Sequence, residues 1–139
     1  MNKLFNNLNI DRTIFSKIEY INQKFPNQSE EIDDEGNREY KWKISIEDEK
    51  EKNNKINKLA SQMKFRLYEG NGKALYIIGL TNAGDAIGIN ENDLYNTLCI
   101  IDESVIKLDG EILGIKIYNN NNYYICTIRI YKNECEFNT

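Results

Sequence analysis

The chain has 139 residues, 40% of them hydrophobic and 29% charged, with a formal net charge of −4 and no histidine. This is enough chain for one domain with a sizeable core, and the composition is ordinary for a globular protein. The acidic balance disfavours indiscriminate binding to polyanions, and the missing histidine removes the commonest general base near neutral pH.

From the N-terminus, Ile10, Ile14, Ile18, Ile21 and Phe25 fit one helical stripe, which predicts a helix over about Asp11 to Lys24. That helix either packs on the domain or frays as an arm; the sharper reading is an amphipathic helix for a partner. Pro26 to Asn37 reads as a linker, with an acidic cluster at Glu30, Glu31, Asp33, Asp34 and Glu35 that repels itself into an extended, solvated form. Its spacing is not that of a calcium loop.

Glu39–Ile46 alternates. Tyr40, Trp42, Ile44 and Ile46 share one face, while Lys41 and Lys43 share the other, which predicts a half-buried strand. Ile56, Leu59, Ala60, Met63 and Leu67 then recur at helical spacing, so a long helix runs from about Asp48 to Glu69. Gly70 is expected to end it in the left-handed conformation.

Leu75–Leu80 reads as a strand and Ala86–Ile89 as a short one, with a turn at residues 81–85 between them. Asn90 is placed to cap a second helix, with Asp93 near its positive end; Leu94, Leu98, Ile101, Val105 and Leu108 form its seam, and Gly110 closes it. Ile112–Tyr118 and Tyr123–Tyr131 are two more strands, joined by Asn119–Asn122 as a hairpin loop, since asparagine tolerates left-handed backbone.

The three cysteines, Cys99, Cys126 and Cys135, form no Cys-x-x-Cys pair. Without histidine, a zinc site would need an improbable ligand set, so no metal and no cofactor are expected. Odd cysteine usage, no long apolar run and no hydrophobic leader suit a cytoplasmic protein without a membrane span. The heavy use of asparagine, isoleucine and lysine points to an AT-rich genome. No carboxylates, tyrosines, lysines or thiols fall at a spacing that implies a reaction, so catalysis is not expected and no catalytic residue is assigned.

One run carries a resemblance. Gln62-Met63-Lys64-Phe65-Arg66-Leu67, followed by Glu69-Gly70-Asn71-Gly72, sits between the strand Glu39–Ile46 and the segment Ala86–Leu98. Over Arg38 to Tyr131 this pattern resembles the region ahead of the GTPase domain in the GTP-binding protein 1 and 2 family of translational GTPases. The family's GTPase domain is absent from this sequence. A P-loop needs four residues between its glycines and a hydroxyl after the lysine. Here only Asn71 separates Gly70 from Gly72, and Ala74 follows Lys73. The glycines are better read as a helix-to-strand turn.

The expected fold is α+β, a two-layer sandwich in the order β-α-β-β-α-β-β. Both helices cover one face of a mostly antiparallel sheet, ferredoxin-like plus one strand, with an extra N-terminal helix. The expected division is an arm and linker over 1–37, the α+β domain over 38–132 and a tail over 133–139. The sheet's other face would then present Lys41, Lys43, Lys116, Tyr118, Tyr123, Arg129 and Tyr131, the mixture of cations and rings that RNA-binding sheets use. Strand propensity and edge protection by lysine give a plainer account of the same residues. A second candidate group is Lys64, Arg66 and Lys73, which also fit as cations near a helix end. What the resemblance implies is a non-catalytic accessory domain that binds a protein or RNA partner near the ribosome. The alternative is a structural or assembly protein, a homo-oligomer self-associating through the sheet edge or the N-terminal helix.

Overall fold

The structure is a computed structural model that describes residues 13–25, 37–45 and 48–133. A 3-10 helix (Thr13–Lys17) leads into β1 (Ile18–Ile21). Then come β2 (Asn37–Lys41), α1 (Glu49–Glu69), β3 (Lys73–Ile78), α2 (Glu91–Lys107), β4 (Glu111–Asn120) and β5 (Tyr123–Tyr131). The strands form one open sheet in the order β1-β4-β5-β3-β2. β1 pairs parallel with β4 and β2 parallel with β3, while β5 is antiparallel to both β3 and β4. Four strands therefore point one way, and only β5, at the centre, runs against them.

The helices explain that arrangement. α1 connects the adjacent parallel strands β2 and β3, and α2 connects β3 to β4 across a one-strand gap. The hairpin after β4 drops β5 into that gap. Asp48 caps α1 by accepting from Glu51 N at 2.8 Å, and Asn90 caps α2 by accepting from Asp93 N at 2.8 Å. Asn121 and Asn122 both take positive φ, 53° and 68°, and make the tight hairpin turn the sequence implied.

Both helices pack on each other and on one face of the sheet. Met63 and Leu67 of α1 and Leu94, Leu98 and Ile101 of α2 meet Tyr76 and Ile78 of β3, Ile115 and Ile117 of β4, and Cys126 and Ile128 of β5 in one continuous core. A smaller cluster, Phe25, Leu75, Ile77, Leu80 and Ile125, lies on the other face. The protein is thus a two-layer α+β sandwich with a mixed sheet.

Several local expectations need correction. The strand order is not ferredoxin-like: β2 sits at the edge beside β3 rather than beside β4. The N-terminal helix is replaced by the short 3-10 turn and β1. Ile14 is buried by the turn, and the β-rich run Ile18–Ile21 pairs with Ile115–Tyr118 instead of continuing as a helix. Ile10 lies outside the described residues, as do Ile46, Cys135 and the acidic cluster Glu30–Glu35.

The expected strand Ala86–Ile89 is reduced to isolated bridges, Leu80 with Ala86 and Ile89 with Tyr124. Gly88, at φ 92°, interrupts any regular ladder there. At the end of α1 the left-handed residues are Asn71 and Gly72, not Gly70, whose φ is −96°. The helix itself ends at Glu69 as expected, and Gly72 N donates to the Leu67 carbonyl at 2.7 Å to close its last turn.

Candidate functional site

Strand register fixes which side chains share the face away from the helices. Across the sheet, Glu19, Lys116, Thr127, Ile77 and Tyr40 stand in one row. The next row holds Gly114, Arg129, Leu75 and Arg38, and the one beyond it Glu111, Tyr131 and Lys73. Lys116 on β4, Arg129 on β5 and Lys73 on β3 therefore fall on a diagonal across three neighbouring strands, and all three are exposed. Diagonal neighbours on one face stand about 7–8 Å apart, close enough for long side chains to act on the same ligand.

Gly114 widens this face. Nothing lies within 4 Å of where its Cβ would stand, so the position beside Arg129 is open. The register shift between Ile112 and Gly114 is a bulge, which places Gly114 opposite Arg129. The face is not bare throughout. Phe25 packs over Leu75, Ile77, Leu80 and Ile125 and meets the Tyr118 ring edge-on at 5.1 Å. Ile77 is 0% exposed, whereas Tyr40 beside it is 41% exposed. The apolar strip is thus covered, and the cations and Tyr40 flank it.

Of the residues singled out from sequence, Lys73, Lys116, Tyr118, Arg129 and Tyr131 come together here, with Tyr123 on the same face at the hairpin end. Lys41 and Lys43 do not. Register puts Tyr40 on this face and Lys41 on the helix side, the reverse of the alternation expected, because Arg38 and Tyr40 align with Leu75 and Ile77. The strand also ends at Lys41, where Gly79 and Leu80 donate to the Lys41 carbonyl at 2.9 and 3.3 Å. Lys43, beyond the strand, pairs with Asp93 of α2 at 3.1 Å. Arg38 and Tyr40 were missed by the sequence reading. The signal that would have found them is the parity of β2 against β3, which needs the pairing itself.

The group Lys64, Arg66 and Lys73 is also split. Lys64 is exposed on α1, and Lys73 opens β3 on the other face. Arg66 is committed to β2: its Nε donates to Glu39 Oε1 at 2.8 Å and its Nη1 to Asn37 Oδ1 at 3.0 Å. It also lies 6.0 Å from the Phe65 ring centroid. Beneath it the Tyr76 hydroxyl donates to Gln62 Oε1 at 3.2 Å. Burial, with Glu39 adding to it, pushes that phenol up. This network fastens the edge strand to α1.

Where α2 begins, Tyr20 and Tyr124 are pushed up by burial and by the nearby Glu91 carboxylate. Glu91 and Asp93 occupy the first turn, so this helix end faces carboxylates of its own chain. Among the described residues no group of three or more histidine, cysteine or acidic side chains is placed to hold a metal ion. No described helix is long and apolar enough to cross a membrane. Comparison with protein-family models, curated proteins and solved structures finds no match for the chain.

Proposed function

We propose that the chain is a non-catalytic recognition domain whose sheet face, opposite the helices, holds single-stranded RNA. The observation that carries this is the diagonal of Lys116, Arg129 and Lys73, with Arg38 in the row of Arg129, on one face of a chain whose net charge is −4. Cations meet phosphates, and Tyr40 and Tyr131 offer rings at the same face for unpaired bases. Glu19 and Glu111 are the acids on the same rows, which leaves the described part of the face net positive. The resemblance to the region ahead of a translational GTPase domain supports a setting near the ribosome.

The test is fluorescence anisotropy with a short labelled oligouridylate at several salt concentrations. Binding should weaken with salt, with a slope of roughly 0.7 per neutralised phosphate. Lys116→Glu with Arg129→Glu should reduce affinity at least about tenfold at low salt, while Lys64→Glu should change little. Wild-type binding indifferent to salt, or a double variant that binds like wild type, removes the RNA reading.

A second reading, self-association, draws on the edge strand β2, which among the described residues pairs with β3 alone and carries exposed Tyr40, with exposed Trp42 just beyond its end. Light scattering over a concentration series decides it. A monomer at every concentration ends this alternative.

A further inference from the structure

A groove between the end of β2 and α1 carries positive charge that the sheet-face reading does not use. Its volume is about 190 Å³, and it is lined by Lys41, Ile44, Lys55, Lys58, Leu59 and Gln62. Half of these side chains are lysines and none is acidic. Lys55, Lys58 and Gln62 fall three and four residues apart along α1, so the helix presents them as one row, and Lys41 faces that row from the strand. The helix places two ammonium groups at i and i+3, an arrangement that costs a few tenths of a kcal/mol in isolation.

Among the described residues the carboxylates nearest these lysines, Glu39 and Glu51, do not line the groove. Lys41 Nζ reaches Glu39 Oε2 only at 4.0 Å. Lys55 Nζ is 3.3 Å from Glu51 Oε1 and donates to the Ser45 carbonyl. Gln62 adds a neutral donor. Its amide oxygen already accepts from the Tyr76 hydroxyl, which leaves the NH₂ end for an occupant of the groove. Ile44 and Leu59 supply an apolar floor, and lower local polarity strengthens every charge-assisted bond made above it. The volume is below the roughly 300 Å³ at which pockets begin to take drug-sized molecules, so a small ion fits the space better than a nucleoside.

We propose that this groove binds a compact free phosphate-class oxyanion, held by Lys41, Lys55 and Lys58 as cationic donors and by Gln62 as a neutral one. Lysine acts here as a point charge rather than as a bidentate fork. The neighbouring guanidinium of Arg66 reaches Glu39 and Asn37 and does not line the groove. The site is separate from the sheet face and does not depend on its reading.

The experiment is calorimetric titration of the full chain with inorganic pyrophosphate at low salt, with amide chemical shifts followed in parallel. Saturable binding is expected, with shifts confined to residues 41–44 and 55–62. Lys58→Ala and Lys41→Ala should each weaken it about tenfold, the effect of one charge-assisted bond. Lys64→Ala and the Lys116→Glu/Arg129→Glu double variant should leave it unchanged, and thermal melts confirm that each variant is folded. Three results overturn the proposal. One is no saturable binding by the wild type. Another is loss of binding in the sheet-face double variant but not in Lys58→Ala. The third is displacement of pyrophosphate from these residues by oligouridylate, which gives the groove to a strand's backbone phosphate instead of a free ion.

Discussion

The two faces of the sheet are built from the same strands and carry different side chains. On the helix side, alternate residues of β3, β4 and β5 join both helices in one continuous core. On the other side, the next residues along the same strands give a small apolar strip under Phe25, flanked by Lys73, Lys116 and Arg129. A strand's period of two delivers one residue to each face, so the core and the charged flank can be changed almost independently. The sharpest test is a matched pair of truncations. Leu94→Ala on the helix side should cost about 2–5 kcal/mol, because Leu94 is fully buried among side chains from several elements. Leu75→Ala, in the small strip, should sit at or below the low end of that range. Equal losses in denaturant melts would mean that the second face is a full core and that its charged flank is incidental.

The faces converge where β3 ends. Gly79 has φ 103°, and a Cβ there would stand 2.9 Å from the Tyr124 carbonyl oxygen and 3.3 Å from the Gly88 and Ile125 Cα atoms. All three neighbours are backbone, so none can swing aside. Gly79→Ala should therefore cost on the order of 1–3 kcal/mol from the conformation alone, with the contact adding to it. Amide exchange should accelerate first at the start of β5 and around residues 86–89. A variant that melts like wild type would show that this junction yields freely.

The contrast between the faces also marks what the sequence could convey. Helical spacing identified the apolar faces of α1 and α2, and Asn90 and Asn119–Asn122 announced the cap and the hairpin, because those signals are local. Which strands are neighbours is a non-local fact. The alternation in Glu39–Ile46 is real, yet it does not say which alternate set faces the helices. Pairing with β3 decides that, through Leu75 and Ile77 beside Arg38 and Tyr40. The stripe Ile14, Ile18, Ile21 and Phe25 suits a helix equally well until β4 offers its edge. Of the candidate binding residues, those on β4 and β5 were placed correctly since their hairpin fixes its own register. Lys41 and Lys43, expected on the same face from the first strand, were not.

Titration separates the faces again. Burial pushes the Tyr76 phenol and the Cys126 thiol up, and both belong to the helix-side core. A raised pKa means that the unfolded chain gives up its proton first. The stability these groups contribute is whole below their ordinary values of 9.0 for the thiol and 10.0 for the phenol, and it is lost as pH rises beyond them. Melting temperature should fall from about pH 9 upward. Tyr76→Phe should flatten the part of that fall beyond about pH 10, with a loss near neutrality of about 1 kcal/mol for the bond to Gln62. An unchanged alkaline slope in Tyr76→Phe would assign the fall to other groups.

The smallest effect bears most directly on the proposed RNA contact. Lys43 and Asp93 are 3.1 Å apart and partly exposed, and they tie the chain beyond β2 to the first turn of α2. Such a pair is worth roughly 0.2–1 kcal/mol, and less in high salt. Asp93→Ala should cost slightly more than Lys43→Ala, since the carboxylate also lies near the positive end of α2. Lys43→Glu sets two carboxylates against each other and should lower stability by a similar small amount. It should also leave oligouridylate affinity where it was, because Lys43 is not on the sheet face. If Lys43→Glu weakens RNA binding as much as Lys116→Glu does, the ligand lies along the helix side of β2, and the division of labour between the faces fails.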